Sequence, residues 1–377
     1  MKKLGIYVHI PFCVSKCKYC SFNSFAGKDN LQADYLKAVV KEIQMQKPKT
    51  NKKVSTIFIG GGTPSHFISG GISTIISTIK NTFALTEDCE ITVECNPNSV
   101  TYEKALEWKN AGVNRVSIGF QTSKNSILKR IGRTHNKNDL FIATNYLHSV
   151  GLDNINIDLM IGLPTQKQKD VKNALNIALK CGATHISAYT LILEEGTPLF
   201  ESVKSGEVKI PKEEKTLNMY NFLKKFLLKR GFFRYEVSNF SKAEYECKHN
   251  LNCWSLQEYI GIGAGAHGYV GKVRYSNFDD IAKYISAIND KNLPQETYEK
   301  LTKAEEIEEY IMLGLRKVKG INLNHLISVY KYNLLEKKKD IIDKLISQNL
   351  IQIKDDYLFA TDFGFNVLNH IILNLVY

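Results

Sequence analysis

Leu4-Gly5-Ile6-Tyr7-Val8-His9-Ile10-Pro11-Phe12-Cys13-Val14-Ser15-Lys16-Cys17-Lys18-Tyr19-Cys20 is the stretch that decides the fold. Its first half is a short apolar run, which reads as a buried strand. Its second half spaces three cysteines as C-x3-C-x2-C. Thiolates crowded onto one short loop converge within a few ångströms, as an iron–sulfur cluster requires. A four-iron cluster has four ligand positions, so three cysteines leave one iron open for chemistry, by the logic that separates catalytic from structural zinc. Two other readings of the same residues are a Cys3His zinc site completed by His9 and a set of reduced thiols. Zinc pairs usually come as C-x2-C with a second pair downstream, and no matching pair follows here.

The chain of 377 residues suits one large domain plus a small one. The remaining cysteines (Cys89, Cys95, Cys181, Cys247, Cys253) form no disulfide framework, which predicts a reducing, cytoplasmic location. The Met-Lys-Lys start resembles the head of a signal peptide, but His9 and Pro11 interrupt the apolar stretch and no cleavage site follows. No apolar run approaches a membrane span. A net charge of +12 invites a nucleic-acid reading. Residues 301–377 hold 10 Lys+Arg against 10 Asp+Glu, so the excess lies upstream, mostly as scattered lysines. That distribution predicts a solvated surface and no nucleic-acid partner; a basic rim around an anionic small-molecule site is the functional alternative.

Six apolar runs recur: Leu4–Ile10, Val54–Ile59, Glu90–Glu94, Arg115–Gly119, Asn154–Met160 and His185–Leu191. Helical patterns near residues 31–45, 72–83, 102–111, 138–150 and 168–181 follow the first five. Strand–helix alternation means parallel strands and right-handed crossovers. Six units fall short of the eight in a closed TIM barrel, so an open, partial (β/α)6 barrel is expected over residues 1–195. In such barrels the chemistry collects at the C-terminal strand ends. The cysteine loop, Gly60-Gly61-Gly62-Thr63-Pro64, Glu94-Cys95-Asn96-Pro97, Phe120-Gln121-Thr122, Asp158 before Gly162-Leu163-Pro164, and Tyr189-Thr190 all fall there.

Residues 196–295 extend the barrel, with a helix near 213–229, a strand at Arg234–Val237, the stretch His249-Asn250-Leu251-Asn252-Cys253-Trp254, the glycine-rich 261–268 and a helix near 279–289. A Lys/Glu-rich linker is expected around 290–300. Thr302 and Glu305 make a capping box opening a small domain over 301–377. Its helices at 303–318, 324–330 and 335–348, the hairpin 350–360 turning at Asp355-Asp356, and a last helix from Asp362 predict a winged-helix-like α+β unit.

The triple glycine lets backbone amides approach a ligand closely, or simply makes a tight turn. A P-loop would need Gly-Lys-Ser/Thr where Thr63-Pro64-Ser65 stands. Glu94 and Asp158 suit an ammonium or ribose hydroxyls, and Arg133 suits a carboxylate, so with Gln121 they suit an amino-acid-plus-nucleoside ligand. The other reading of each is a surface or satisfied core residue, and for Arg133 and Asp158 taken alone the two readings weigh evenly. Residues 261–268 lack the context of a dinucleotide fingerprint and read as a close backbone approach to the barrel mouth. His249 beside Trp254 is the chemistry of haem ligation, nitrogen to iron and ring against macrocycle, though a lone histidine is usually structural. Cys247 and Cys253 are alternative soft ligands.

Taken together, Tyr7-Val-His-Ile-Pro-Phe-Cys-x3-Cys-x2-Cys, Gly-Gly-Gly-Thr-Pro, Glu94-x-Asn-Pro, Gly-x-Gln121, Asp158-Leu-Met-Ile-Gly-Leu-Pro and the terminal region resemble the radical S-adenosylmethionine superfamily, and within it the oxygen-independent coproporphyrinogen III oxidases. The resemblance implies that Cys13, Cys17 and Cys20 bind a 4Fe–4S cluster whose open iron is chelated by S-adenosylmethionine. It implies that Tyr7, Gly61, Gly62, Thr63, Glu94, Gln121, Arg133 and Asp158 contact that cofactor and that Tyr19 lies against it. True oxidases of the family carry a further cysteine where Phe22 stands here. That departure resembles the haem-chaperone branch, whose His-Asn-x-x-Tyr-Trp motif is linked to haem binding. Here it reads His249-Asn-Leu-Asn-Cys253-Trp254, keeping His249 and Trp254 and replacing the tyrosine.

Three functions compete. A chaperone would carry haem as cargo to apo-proteins such as respiratory cytochromes. An oxidase would decarboxylate coproporphyrinogen III by radical chemistry, which Phe22 argues against. A nucleic-acid-acting radical enzyme is the weakest. The sequence names neither the recipient nor an oligomeric state; it leaves a homodimer and a peripheral contact with membrane proteins open.

Overall fold

The computed structural model describes residues 3–47 and 52–377. Six strands lie side by side in chain order and all parallel: β1 (Lys3–Ile10), β2 (Lys53–Gly61), β3 (Leu85–Cys95), β4 (Arg115–Gln121), β5 (Ile155–Ile161) and β6 (His185–Thr190). This is the partial barrel that the strand–helix alternation predicts. Helices α1 (Gln32–Met45), α2 (Gly71–Thr82), α3 (Tyr102–Ala111), α4 (Asn125–Arg130), α5 (Lys137–Ser149) and α6 (Gln168–Lys180) connect the strands.

The strands are covered on both faces, so they read as nearly unbroken apolar runs. Ile57, Ile59, Val93, Val116, Ile118, Ile155 and Ile157 are all fully buried in one core. Helix α1 turns Tyr35, Ala38, Val39, Glu42 and Ile43 inward, a stripe at the helical period. Truncating one such isoleucine to alanine costs about 2–5 kcal/mol, the transfer term plus the cavity left behind.

The sheet is larger than six strands. Beyond β6 it continues, antiparallel, through β7 (Phe233–Arg234) and β8 (Asn239–Ser241). Beyond β1 comes β9 (Tyr259–Ile262), parallel to it, and then the antiparallel ribbon β10 (His267–Val270), β11 (Val273–Asn277) and β12 (Gln295–Lys300). Three expectations change accordingly. The glycine-rich 261–268 is half strand, its ends belonging to β9 and β10 around a tight turn. The expected linker at 290–300 ends in an edge strand whose charged residues face solvent. The strand expected at Arg234–Val237 is only Phe233–Arg234, with Glu236 making an isolated bridge to Lys317. The close approach expected of the glycine loop is present: a Cβ on Gly263 would lie 2.6 Å from the His9 carbonyl oxygen.

The chain from Thr302 onward packs around its own core of Ile311, Leu326, Ile351, Leu358, Ile371 and Leu375. After α7 (Pro198–Lys204), α8 (Glu213–Leu228), α9 (Lys248–Trp254) and α10 (Ile281–Asn289), the Thr302–Glu305 capping box forms, and helix α11 (Lys303–Gly314) follows it. A three-stranded sheet holds the hairpin, which turns through Asp355 and Asp356 at φ 49° and 63°, the left-handed pair of a tight hairpin turn. This is the winged-helix-like α+β domain. It is clamped to the ribbon by Arg274, which donates twice to the Glu309 carboxylate at 2.7 Å.

Candidate functional site

The cysteine loop leaves the C-terminal end of β1 and is pinned from several sides. Phe25 N donates to Pro11 O at 2.7 Å, Lys18 N to Ile131 O at 3.0 Å, and Leu199 N to Lys18 O at 2.8 Å. Cys13 is buried; Cys17 and Cys20 are half-buried. Thr63 Oγ1 lies 3.3 Å from Cys13 Sγ, and Arg133 Nη1 lies 3.6 Å from Cys17 Sγ, so two donors already face sulfur. Burial pushes the Cys13 thiol pKa up, with the Thr63 hydrogen bond opposing it. His9 is not arranged as a fourth ligand. Its Nδ1 is 2.8 Å from Tyr7 OH and its Nε2 2.7 Å from Asn23 O. That engagement removes the imidazole a Cys3His zinc site would use. Among the described residues no three His, Cys, Asp or Glu side chains converge on a single ion.

The triple glycine does less with its amides than expected. Gly61 N donates to Glu94 Oε2 at 3.2 Å, Gly62 N to Ile10 O and Thr63 N to Phe12 O, both at 2.8 Å. These amides bind the protein itself. What demands glycine is space: Gly61 sits at φ 109°, and a Cβ there would meet the His9 ring at 2.5 Å. A Cβ on Gly60 would meet the Glu94 carboxylate at 2.7 Å.

Around the loop the strand ends enclose a cavity of about 390 Å³. Cys13, Cys17, Cys20, Tyr19, Gly61, Gly62, Thr63, Glu94, Gln121, Arg133 and Asp158 all line it. Of the residues expected around the cofactor, only Tyr7 does not; it lies behind His9, on a neighbouring cavity. Glu94 and Asp158 are like charges in a dry place. Burial first and the Asp158 charge second raise the Glu94 pKa from 4.5 to about 7. Asp158 is also raised by burial, against hydrogen bonds from Ser187, Asn156 and Ser117. Arg133 donates to Asn96 Oδ1 at 2.6 Å and to the Gly119 carbonyl. A Cβ on Gly119 would lie 2.8 Å from that guanidinium, so this glycine makes its room. Tyr19 packs with Ile127, Ile131, Met160, Leu163 and Leu191.

Two polar atoms here are buried without partners among the described residues, Gln121 Oε1 and Arg133 Nε. Buried polar groups are rarely left so unless a ligand completes them. Orphaned acceptor and donor, two carboxylates and three clustered thiols fit a thiolate-held cluster with an amino-acid-bearing nucleoside cofactor beside it. Sequence reasoning missed Asn96, Ser117, Asn156 and Met160. The Glu94-Cys-Asn-Pro motif contained the signal for Asn96; the others show only once β4 and β5 are side by side.

A second cavity of about 730 Å³ shares Ser21, Phe22, Gly61 and Glu94 with the first. Tyr7, His249, Cys253, Tyr259 and His267 also line it. His249 lies on α9 (Lys248–Trp254), with Nδ1 2.9 Å from Thr56 Oγ1. Burial, then the Arg115 charge, lower its pKa to about 4, so its ring is neutral at pH 7. Trp254 does not join it. Its Nε1 donates to Glu236 Oε2 at 2.8 Å, and the Arg316 guanidinium lies 5.5 Å from its ring. Trp254 lines a separate small cavity against the C-terminal domain. His249 and Trp254 are five residues apart on this helix, and at about 100° per residue their side chains diverge by about 140°. Phe22 is 65% exposed at the shared mouth.

An open barrel with a three-cysteine loop at its mouth defines the radical S-adenosylmethionine class. Residues 7–178 match the radical SAM superfamily and residues 301–367 the HemN C-terminal domain. The fold is close to that of coproporphyrinogen III oxidase (HemN) from Escherichia coli, described as a radical SAM enzyme, with TM-score 0.86, 19% identity and 99% and 90% of the two chains covered. The chain is 36% identical over 95% of its length to heme chaperone HemW of Bacillus subtilis, covering 95% of that protein. It is 34% identical to heme chaperone HemW of Lactococcus lactis, with 98% and 96% covered. The chain belongs to the radical SAM superfamily and, within it, to the coproporphyrinogen III oxidase-like family in its HemW-type branch. Membership implies a 4Fe–4S cluster and S-adenosylmethionine. No helix among the described residues is long and apolar enough to cross a membrane.

Proposed function

We propose that this protein is a haem chaperone that binds a 4Fe–4S cluster, S-adenosylmethionine and haem, and passes haem to apo-proteins such as those of respiratory chains, working from the cytoplasm. The observation that carries the reading is a buried, neutral imidazole, His249, on the wall of a large cavity that adjoins the cysteine loop. A neutral imidazole with one nitrogen held by Thr56 is a ready iron ligand. The name borne by relatives that cover nearly the whole chain supports the same reading.

In this reading Cys13, Cys17 and Cys20 hold the cluster. Arg133 would donate to the cofactor's carboxylate, Gln121 Oε1 would accept from one of its amino groups, Glu94 and Asp158 would take its ammonium and ribose hydroxyls, and Tyr19 would lie along it. When bound, the cluster and cofactor supply one-electron reductive chemistry. The chain's own residues exclude water, orient the cofactor and hold charge: Thr63 and Arg133 donate to sulfur, and Glu94 gives up its proton to admit a cation. Tyr7 orients His9 beneath the glycines. Trp254 acts at a distance from haem, by anchoring α9 to the C-terminal domain.

The test is one preparation, anaerobic and cluster-loaded, titrated with haem by absorbance while coproporphyrinogen turnover is assayed. Stoichiometric, His249-dependent haem uptake without turnover is expected. Turnover without haem uptake would make the chain an oxidase despite Phe22. Haem uptake unchanged in His249→Ala would remove that residue from the account.

A further inference from the structure

Helix α9 carries two soft donors one turn apart, His249 and Cys253, and both line the second cavity. Side chains at i and i+4 of a helix stand on one face, about 5–6 Å apart at Cβ. The histidine is held as a ligand is held. Thr56 Oγ1 engages Nδ1 at 2.9 Å, Phe58 lies against the ring with centroids 5.2 Å apart, and Nε2 has no hydrogen-bond partner among the described residues. The helix start is fixed as well. The Glu90 carboxylate accepts from Lys248 N and His249 N, both at 3.0 Å, and faces the Cys247 thiol at 3.6 Å.

We propose that His249 Nε2 and Cys253 Sγ form a second metal site, separate from the cysteine loop, that chelates a soft divalent ion of the zinc class, with Thr56 and Glu90 as positioning residues. Imidazole plus thiolate is the donor set such ions prefer. No third His, Cys, Asp or Glu of the described residues completes it, so water or an incoming ligand fills the remaining positions. Binding breaks the Cys253 S–H bond, forms a sulfur–metal bond and releases one proton; the imidazole contributes its lone pair and nothing is oxidised. Donors one turn apart approach an ion from the same side. A planar macrocycle leaves only the two faces of its iron open, so haem takes one of the pair and a chelated ion takes both. The two occupants therefore exclude each other at His249. The site goes beyond the chaperone reading and does not require it.

Cobalt(II) is the probe, added to the cluster-loaded full chain. Wild type should bind one ion with a thiolate-to-cobalt charge-transfer band, be reversed by zinc, and take up less haem when zinc is present. Cys253→Ser should lose that band, and Thr56→Val should keep it with affinity about tenfold weaker, the usual size of an outer-shell effect. Far-UV circular dichroism and melting check that both variants fold. A band that persists in Cys253→Ser, or cobalt binding unchanged in His249→Ala, overturns the site whatever haem does. Cobalt binding that depends on His249 and Cys253, with no haem uptake by wild type, sinks the chaperone reading and leaves the metal site standing.

Discussion

The two cavities share one wall, formed by Gly61, Glu94 and Phe22, yet they are built on opposite principles. The first holds ionisable groups close together in a dry place: two carboxylates raised by burial, Glu94 also by the Asp158 charge, a guanidinium, and three thiols. Its donors come from one contiguous loop and the ends of neighbouring parallel strands. The second adds to the shared Glu94 a neutral imidazole, a thiol and tyrosines, with Lys16 and Asp279 as its other charged groups, brought in by α9, the cysteine loop and the sheet beyond β1. A site held by charge selects a charged, zwitterionic cofactor. A site held by neutral soft donors selects metal and apolar surface. The shared wall means that either occupant can be felt by the other, with Glu94 as the common titratable group.

The largest break of this contrast should come from Cys17→Ser. It removes one cluster ligand, so the cluster's visible absorption and bound iron should be lost, while His249-dependent haem uptake persists. Loss of both together would show that the cavities are not separable. A smaller effect is expected of Gly61→Ala, which places a methyl at φ 109° against the His9 ring on the shared wall. It should cost about 2–4 kcal/mol in denaturant unfolding, from backbone strain and displacement of His9. It should weaken S-adenosylmethionine binding more than haem binding; no change in stability would contradict the packing described. The smallest effect is the pH response of Glu94. Its folded pKa is raised to about 7 from 4.5, so the folded site holds a proton that the unfolded chain releases across that window. The group's contribution to stability therefore falls as pH climbs from about 4.5 to 7 and stays low above it. An ammonium or sulfonium must expel that proton, so cofactor affinity should rise toward pH 7 and level off beyond it. Glu94→Gln should flatten that profile without steepening that of haem.

Much of the first cavity was legible because its parts announce themselves locally. Cys13, Cys17 and Cys20 share one short loop, Gly61, Glu94 and Gln121 each close an apolar run, and Asp158 interrupts one. What was misread there concerns who binds whom. The glycine amides looked free for a ligand, and only the packed chain shows Gly62 and Thr63 donating to Ile10 and Phe12 carbonyls. The second cavity was half legible. His249 stood out beside Trp254, but adjacency along the chain paired it with the wrong partner. The side chain that shares its helix face is Cys253, one turn away, and the group that holds its ring is Thr56, 193 positions earlier.

The sequence by itself determined the alternation of strands and helices, the cluster-type loop, the capped C-terminal domain and the side on which chemistry gathers, because periodicity and short motifs are properties of contiguous residues. Tertiary structure alone decided that the sheet runs on to twelve strands, that the 290–300 segment ends as an edge strand, that Arg133 reaches Asn96 across the space Gly119 leaves open, and that His249 and Trp254 part company. Those outcomes depend on which distant segments lie side by side, and pairing over such separations is fixed by the packing of the whole chain rather than by any stretch of it.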